Sequence, residues 1–117
     1  MAALGSRMHE LSFSVRGILG ETEWRLFLSD LVKAIGMTPA GVAAHWEYPT
    51  QGSKGGVGIT IVQPLTESAV LVDTWPEHKG AYVRISSCKD FDHVTARDMI
   101  ERYGLTILDV SYTELAL

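Results

Sequence analysis

Apolar residues alternate with polar ones at the start of the chain and then change to a helical period. In Glu10–Arg16 every second residue is apolar, which is the period of a half-buried strand. Farther along, apolar residues recur every three or four positions and predict a helix over Glu21–Ile35. Gly36 suits the position just past the end of that helix.

The rest of the chain contains more strands than helices. β-Branched and aromatic residues at alternating or consecutive positions favour strands, and a capping aspartate before helically spaced apolar residues favours a second helix. The further strands are predicted over Val42–Tyr48, Val57–Val62, Val70–Val72 and Ala81–Ser87, and the last contains Leu105, Ile107 and Val110. The second helix follows Asp92 and ends at Gly104.

The predicted order is therefore β-α-β-β-β-β-α-β. Short connections favour a mostly antiparallel sheet with both helices on one face, an α+β two-layer sandwich. The 117 residues, 46% of them hydrophobic, are enough for one domain that spans residues 1–117 and has its own core.

Charge and cysteine content exclude several classes of protein. The net charge is −4 and the basic residues are scattered, so we expect no nucleic-acid partner. We expect neither a membrane span nor a secretory signal, so the expected location is cytoplasmic. A single cysteine, Cys88, excludes an internal disulfide and a zinc site of several thiolates. The four histidines lack metal-ligand spacing, so no metal is expected.

The densest chemical signal lies between Glu67 and Cys88. A Glu-Ser pair, Glu67-Ser68, opens a strand, Thr74–Glu77 reads Thr-Trp-Pro-Glu, and Cys88 follows the serine by twenty residues. In these features, and in the order of its elements, the chain resembles the prokaryotic S-adenosylmethionine decarboxylases.

The resemblance implies a chain that cleaves its own backbone between Glu67 and Ser68. The serine hydroxyl attacks the preceding carbonyl, an ester forms, and elimination leaves a pyruvoyl group derived from Ser68 as the cofactor. Its carbonyl takes the substrate amine and withdraws electrons during decarboxylation. Cys88 is then the proton donor, and it lies on the polar face of its predicted strand.

The resemblance also implies a ligand and a partner. The ligand would be S-adenosylmethionine or a related amino acid, decarboxylated for the synthesis of polyamines such as spermidine. Trp75 and Glu77 would hold the nucleoside, and Tyr48 could line either the pocket or the core. The family pairs its sheets and builds its pockets near the subunit interface, so we expect a homodimer.

The chain departs from the family at positions that assist cleavage. Asp73 stands where the family has the histidine of the elimination step, and an aspartate is a weaker base unless burial raises its pKa. Gly58 lies near the position of a second processing serine, with Thr60 as the nearest hydroxyl. The glycine-rich run Gly55–Gly58 is a candidate source of backbone donors to the attacked carbonyl.

Three interpretations remain open from the sequence. The chain is a self-cleaving decarboxylase, or it is an uncleaved, non-catalytic relative that binds a ligand or acts as a regulatory subunit, which Asp73 favours. A third class is a small interaction domain without a ligand, in which Cys88 is a core residue. In that case Ser68 and Glu77 are ordinary surface residues at a strand start and a turn.

Overall fold

A computed structural model describes residues 7–49 and 57–117, apart from the side chain of Tyr48. The element order is the predicted one, with a short 3₁₀ turn between the fourth and fifth strands. The elements are β1 (Arg7–Arg16), α1 (Glu21–Ala34), β2 (Ala44–Pro49), β3 (Val57–Pro64), β4 (Ser68–Trp75), the 3₁₀ turn (Pro76–His78), β5 (Gly80–Ser87), α2 (His93–Arg102) and β6 (Thr106–Ala116).

The six strands form one antiparallel sheet in the order β2-β3-β4-β5-β1-β6. Alternate residues of the central strands are buried and share one core cluster with residues of both helices, so α1 and α2 cover the same face. The predicted α+β sandwich is confirmed. The largest fully buried side chains of this core are Trp24, Phe13, Phe27, Leu11 and Leu28.

Capping contacts define the starts of both helices, and Gly36, Asp92 and Gly104 stand where the sequence predicted them. The carboxylate of Glu23 accepts the backbone N–H of Gly20 at the start of α1, at 3.0 Å. Asp92 accepts the N–H of Val94 at 2.9 Å and so caps α2. Gly36 and Gly104 follow the two helices with φ of 74° and 77°, a conformation that a side chain would strain.

The strands differ in extent from the sequence prediction: β1 begins three residues earlier, β3 ends two residues later and β5 begins one residue earlier. The fourth strand was predicted over Val70–Val72, but β4 pairs with β5 along its whole length, from Ser68 opposite Ser87 to Trp75 opposite Gly80. The last strand continues to Ala116 because it pairs with β1, although nearly all of its residues are exposed. The second strand begins and ends later than predicted. A strand residue that pairs only through backbone hydrogen bonds and buries no side chain leaves no apolar periodicity in the sequence, so the pattern does not predict it.

The face of the sheet opposite the helices carries half-buried, mainly polar side chains. We call it the open face and define it by residues whose neighbours in sequence are buried against the helices. Ser12 and Tyr82 share a hydrogen bond there, with their oxygens 3.0 Å apart. The open face is formed by Glu10, Ser12, Leu71, Asp73, Tyr82, Arg84 and Ser86. Among the described helices, neither is long and apolar enough to cross a membrane.

Candidate functional site

The Glu67–Ser68 peptide bond lies in the tight turn that joins β3 to β4. The N–H of Leu65 donates to the carbonyl of Ser68 at 2.9 Å and closes this turn. The segment that follows α1 holds it from the side: the N–H of Thr38 donates to Oε1 of Glu67 at 3.0 Å, and its carbonyl accepts the N–H of Thr66 at 2.9 Å. Ser68 itself is exposed, with φ of 159° at the edge of the extended range.

Cys88 follows β5 directly and reaches the same peptide bond. Its backbone N–H donates to the carbonyl oxygen of Glu67 at 3.1 Å, and its Sγ lies 3.0 Å from that oxygen. The cysteine is 8% exposed. Two donors of one residue therefore converge on the carbonyl that precedes Ser68, an arrangement that can stabilise negative charge on this oxygen. We call Glu67, Ser68 and Cys88 the turn cluster.

Asp73 belongs to a different part of β4. It lies opposite Thr60 of β3, whose Oγ1 donates to Oδ1 of Asp73 at 2.9 Å. Five residues of extended strand separate Ser68 from Asp73, which is about 16 Å between their Cα atoms. Within one chain the structure does not bring Asp73 to the turn cluster.

Trp75 and Glu77 lie still farther along the same direction. Trp75 ends β4 and is 48% exposed, and Glu77 is exposed in the 3₁₀ turn. Trp75 lines an open cavity of about 520 Å³, together with Arg16, Tyr82 and other residues. Seven residues of strand place Trp75 about 23 Å from Ser68. We call Thr60, Asp73, Trp75 and Glu77 the distal cluster.

Several residues of the sequence hypothesis have a different position or fall outside the described chain. The side chain of Tyr48, together with Gly55 and Gly56, lies outside the described residues. Gly58 pairs with Tyr48 in β2, and it is Thr60 that stands opposite Asp73. Among the described residues, the donors to the Glu67 carbonyl come from Cys88.

Sequence reasoning did not single out two residues beside the turn cluster: Thr38, which bonds to Glu67, and Ser87, which pairs with Ser68. Thr38 has no signal in the sequence, because only the fold brings the segment after α1 to the turn. Ser87 did have a signal, since it is a hydroxyl at a position of β5 that otherwise faces the core, and it is fully buried.

One other group of side chains contains possible metal ligands. Atoms of Glu21, His45 and Glu47 lie within 4.8 Å of one another. Arg25 already occupies this group, because its guanidinium contacts Oε2 of Glu21 at 3.0 Å and Nδ1 of His45 at 2.6 Å. An imidazole that accepts at Nδ1 carries its proton on Nε2, the nitrogen nearer Glu21. We interpret the group as an ion-pair network.

Fold and site together define a class: two-layer α+β proteins with a serine and a cysteine at one hairpin turn of the sheet. A family model described as S-adenosylmethionine decarboxylase matches residues 16–115. The chain belongs to the S-adenosylmethionine decarboxylase family, as its motifs predicted.

A solved structure shares this architecture. The crystal structure of the adenosylmethionine decarboxylase from Aquifex aeolicus superposes with a TM-score of 0.66 at 22% sequence identity, over 97% of this chain and 92% of that one. At this identity the likeness concerns the fold. A search of curated proteins returned no match.

Proposed function

We propose that the chain is a pyruvoyl-dependent S-adenosylmethionine decarboxylase that cleaves itself between Glu67 and Ser68 and serves polyamine synthesis. One observation carries this proposal: the N–H and the thiol of Cys88 both point at the carbonyl oxygen of Glu67. The backbone N–H continues the pairing of β4 with β5, and the thiol adds a second donor to the same oxygen. An attack by Ser68 on this carbonyl requires donors of this kind.

The cleavage begins when Oγ of Ser68 attacks the carbonyl carbon of Glu67. Negative charge develops on the carbonyl oxygen, where the two donors of Cys88 stabilise it. The C–N bond then breaks, which leaves an ester and a free amine on Ser68. Loss of the Cα proton of Ser68 expels Glu67 as a carboxylate. One water then hydrolyses the resulting enamine, through its imine form, and releases ammonia.

The chain's residues fit the pyruvoyl group that this reaction would leave on residue 68. That group would take the substrate amine and withdraw electrons as carbon dioxide leaves. The thiol of Cys88 lies beside the turn from which the group would form, so it can return a proton to the substrate carbon. Its burial keeps bulk water away from that proton.

A second copy of the chain would complete the site. In one chain the turn cluster and the distal cluster lie at opposite ends of β4. A two-fold axis perpendicular to β4 would pack two open faces together, about 10 Å apart, and lay the distal cluster of one copy against the turn cluster of the other. Asp73 would then take the Cα proton of the partner copy's residue 68, and Trp75 with Glu77 would hold the nucleoside.

An uncleaved relative is the second candidate, and Asp73 favours it. The resemblance implies a histidine at this position, and an imidazole is in general a stronger base than a carboxylate. Such a chain would keep the ligand pocket without the pyruvoyl chemistry. Binding of S-adenosylmethionine, measured as a rise in melting temperature, would support an inherited pocket and would not support an interaction domain without a ligand.

Intact mass spectrometry of the purified full chain tests the cleavage. We expect two fragments, one that ends at Glu67 and one that begins at residue 68. The second fragment should be lighter by one ammonia than a fragment that begins with serine. Ser68→Ala should give only the full-length mass, because the attacking oxygen is gone. A single full-length mass for the natural sequence after long incubation would contradict self-cleavage and favour the uncleaved relative.

A further inference from the structure

We propose that Ser87 is a positioning residue that aims both donors of Cys88 at the Glu67 carbonyl. This inference rests on the proposed function for its role in cleavage, but the geometry stands on the fold. The hydroxyl of Ser87 contacts the backbone of Lys89 and Sδ of Met37 and bonds to neither Ser68 Oγ nor the Glu67 carbonyl, so it would act through Cys88.

Ser87 occupies a core position. It is 0% exposed at the end of β5, on the side of that strand where Val83 and Ile85 are also fully buried. A hydroxyl in such a place costs free energy unless it is hydrogen-bonded, and alanine or valine would fill a purely structural position without that demand. The hydrogen bonds of the Ser87 hydroxyl therefore indicate which part of the backbone this residue positions.

Those bonds close a small ring around Cys88. Oγ of Ser87 donates to the carbonyl of Lys89 at 2.6 Å and accepts the N–H of Lys89 at 2.9 Å. Lys89 is fixed again from the other side, since its Nζ donates to the carbonyl of Gly36 at 3.1 Å. The residue between Ser87 and Lys89 is thus held in one orientation as the chain leaves β5.

The consequence falls on Cys88. With its backbone held by its two neighbours, its N–H and its Sγ share one target, the oxygen of Glu67, at 3.1 and 3.0 Å. Preorganised donors accelerate a reaction because they need not rearrange when charge develops on the oxygen. Without the hydroxyl of Ser87 the turn can relax, and the thiol can rotate away from the carbonyl.

The S–H stretching band gives a direct readout, because the chain has a single cysteine. We would record it in full-length protein carrying Ser68→Ala, which keeps the turn uncleaved. Ser87→Val and Ser87→Thr have nearly the same shape and differ in the hydroxyl. Ser87→Val should move the band toward that of a free thiol and raise the alkylation rate of Cys88 about tenfold, the effect of losing one hydrogen bond. Ser87→Thr should stay within about twofold of the parent.

Val83→Ala is the matched control for lost stability, since it removes buried volume from the same strand away from the turn. It should lower the melting temperature and leave the S–H band in place. An unchanged band in both Ser87→Val and Ser87→Ala, or an equal shift in Val83→Ala, would overturn the proposal. Should Ser87→Val not fold, Ser87→Ala gives the same comparison with Ser87→Thr.

The cleavage rate separates this inference from the proposed function. With Ser68 restored, Ser87→Val should cleave at least about tenfold more slowly than Ser87→Thr. If the natural sequence never cleaves, the proposed function fails while the S–H band still decides the role of Ser87. If the natural sequence cleaves and the band shifts without slower cleavage, the positioning role in the reaction is wrong.

Discussion

At the scale of single residues, the proposed cleavage needs donors at the Glu67 carbonyl and a base that removes a proton from residue 68. Both donors to the Glu67 carbonyl are in place, and a donor of this kind contributes about 10²–10³ in rate in other enzymes. In the proposed mechanism the base is Asp73, where the resemblance implies a histidine, and Thr60 donates a hydrogen bond to it. The rate of cleavage should therefore be limited by proton removal.

Asp73→His tests that limit. A histidine is largely a free base at neutral pH, and a well-placed base contributes about 10²–10⁴, so cleavage should accelerate at least about tenfold. Thr60 can donate to the new side chain as it does to Asp73. The rate is measured as the appearance of the two fragments by intact mass spectrometry.

Asp73→Asn is the companion variant, because it keeps a hydrogen-bond acceptor for Thr60 and removes the base. It should slow cleavage below that of the natural sequence. Equal rates for the natural chain, Asp73→His and Asp73→Asn would show that residue 73 takes no part in proton removal.

At the scale of elements, a tyrosine joins the two helices. Tyr103, just after α2, donates through Oη to Asp30 of α1 at 2.6 Å, and its ring packs edge-on against Phe27 at 5.3 Å. The hydrogen bond to the Asp30 carboxylate is the main cause that raises the pKa of Tyr103 from 10.0 to about 12. The neutral phenol is thus favoured by the folded state.

Tyr103→Phe keeps the ring contact and removes this bond, so its melting temperature should fall at neutral pH. Between pH 10 and pH 12 the unfolded chain loses a phenol proton that the folded chain retains, so the advantage of the natural sequence should shrink across that window. Melting curves of the two chains over this range measure the difference. The phenolate absorbance of the natural chain minus that of Tyr103→Phe should titrate near 12; a difference that titrates near 10 would contradict the assignment.

The elements themselves were largely predictable, since alternation, helical spacing and the glycines after each helix all reflect local physics. The turn cluster was predictable only as a spacing of Ser68 and Cys88. That Cys88 would present its N–H as well as its thiol depends on the register of β4 with β5, which pairs Ser68 with Ser87. A short connection joins β4 to β5, and another joins β3 to β4. In such hairpins the register depends on the geometry of the turn, which the pattern of apolar residues does not specify. The same holds for Thr60 opposite Asp73.

At the scale of the whole molecule, the two clusters at opposite ends of β4 make a prediction about assembly. If two open faces pack across a two-fold axis, each site takes Ser68 from one copy and Asp73 from the other. A chain with Ser68→Ala and a chain with Asp73→Asn are then each defective alone, for different reasons. In a mixed dimer, one of the two sites contains both natural residues.

Co-expression of these two variants should therefore restore cleavage of the Asp73→Asn chain, which still has its own Ser68. Because half of the molecules formed at random from equal amounts are mixed dimers, about half of the Asp73→Asn chains should gain the faster rate. As a control, the two variants are folded separately and then mixed as dimers. This mixture should restore less cleavage of the Asp73→Asn chain if the dimers exchange subunits slowly. If Asp73 acted on Ser68 of its own chain, co-expression would leave the rate of the Asp73→Asn chain where it is alone, and the packing of open faces would lose its functional argument.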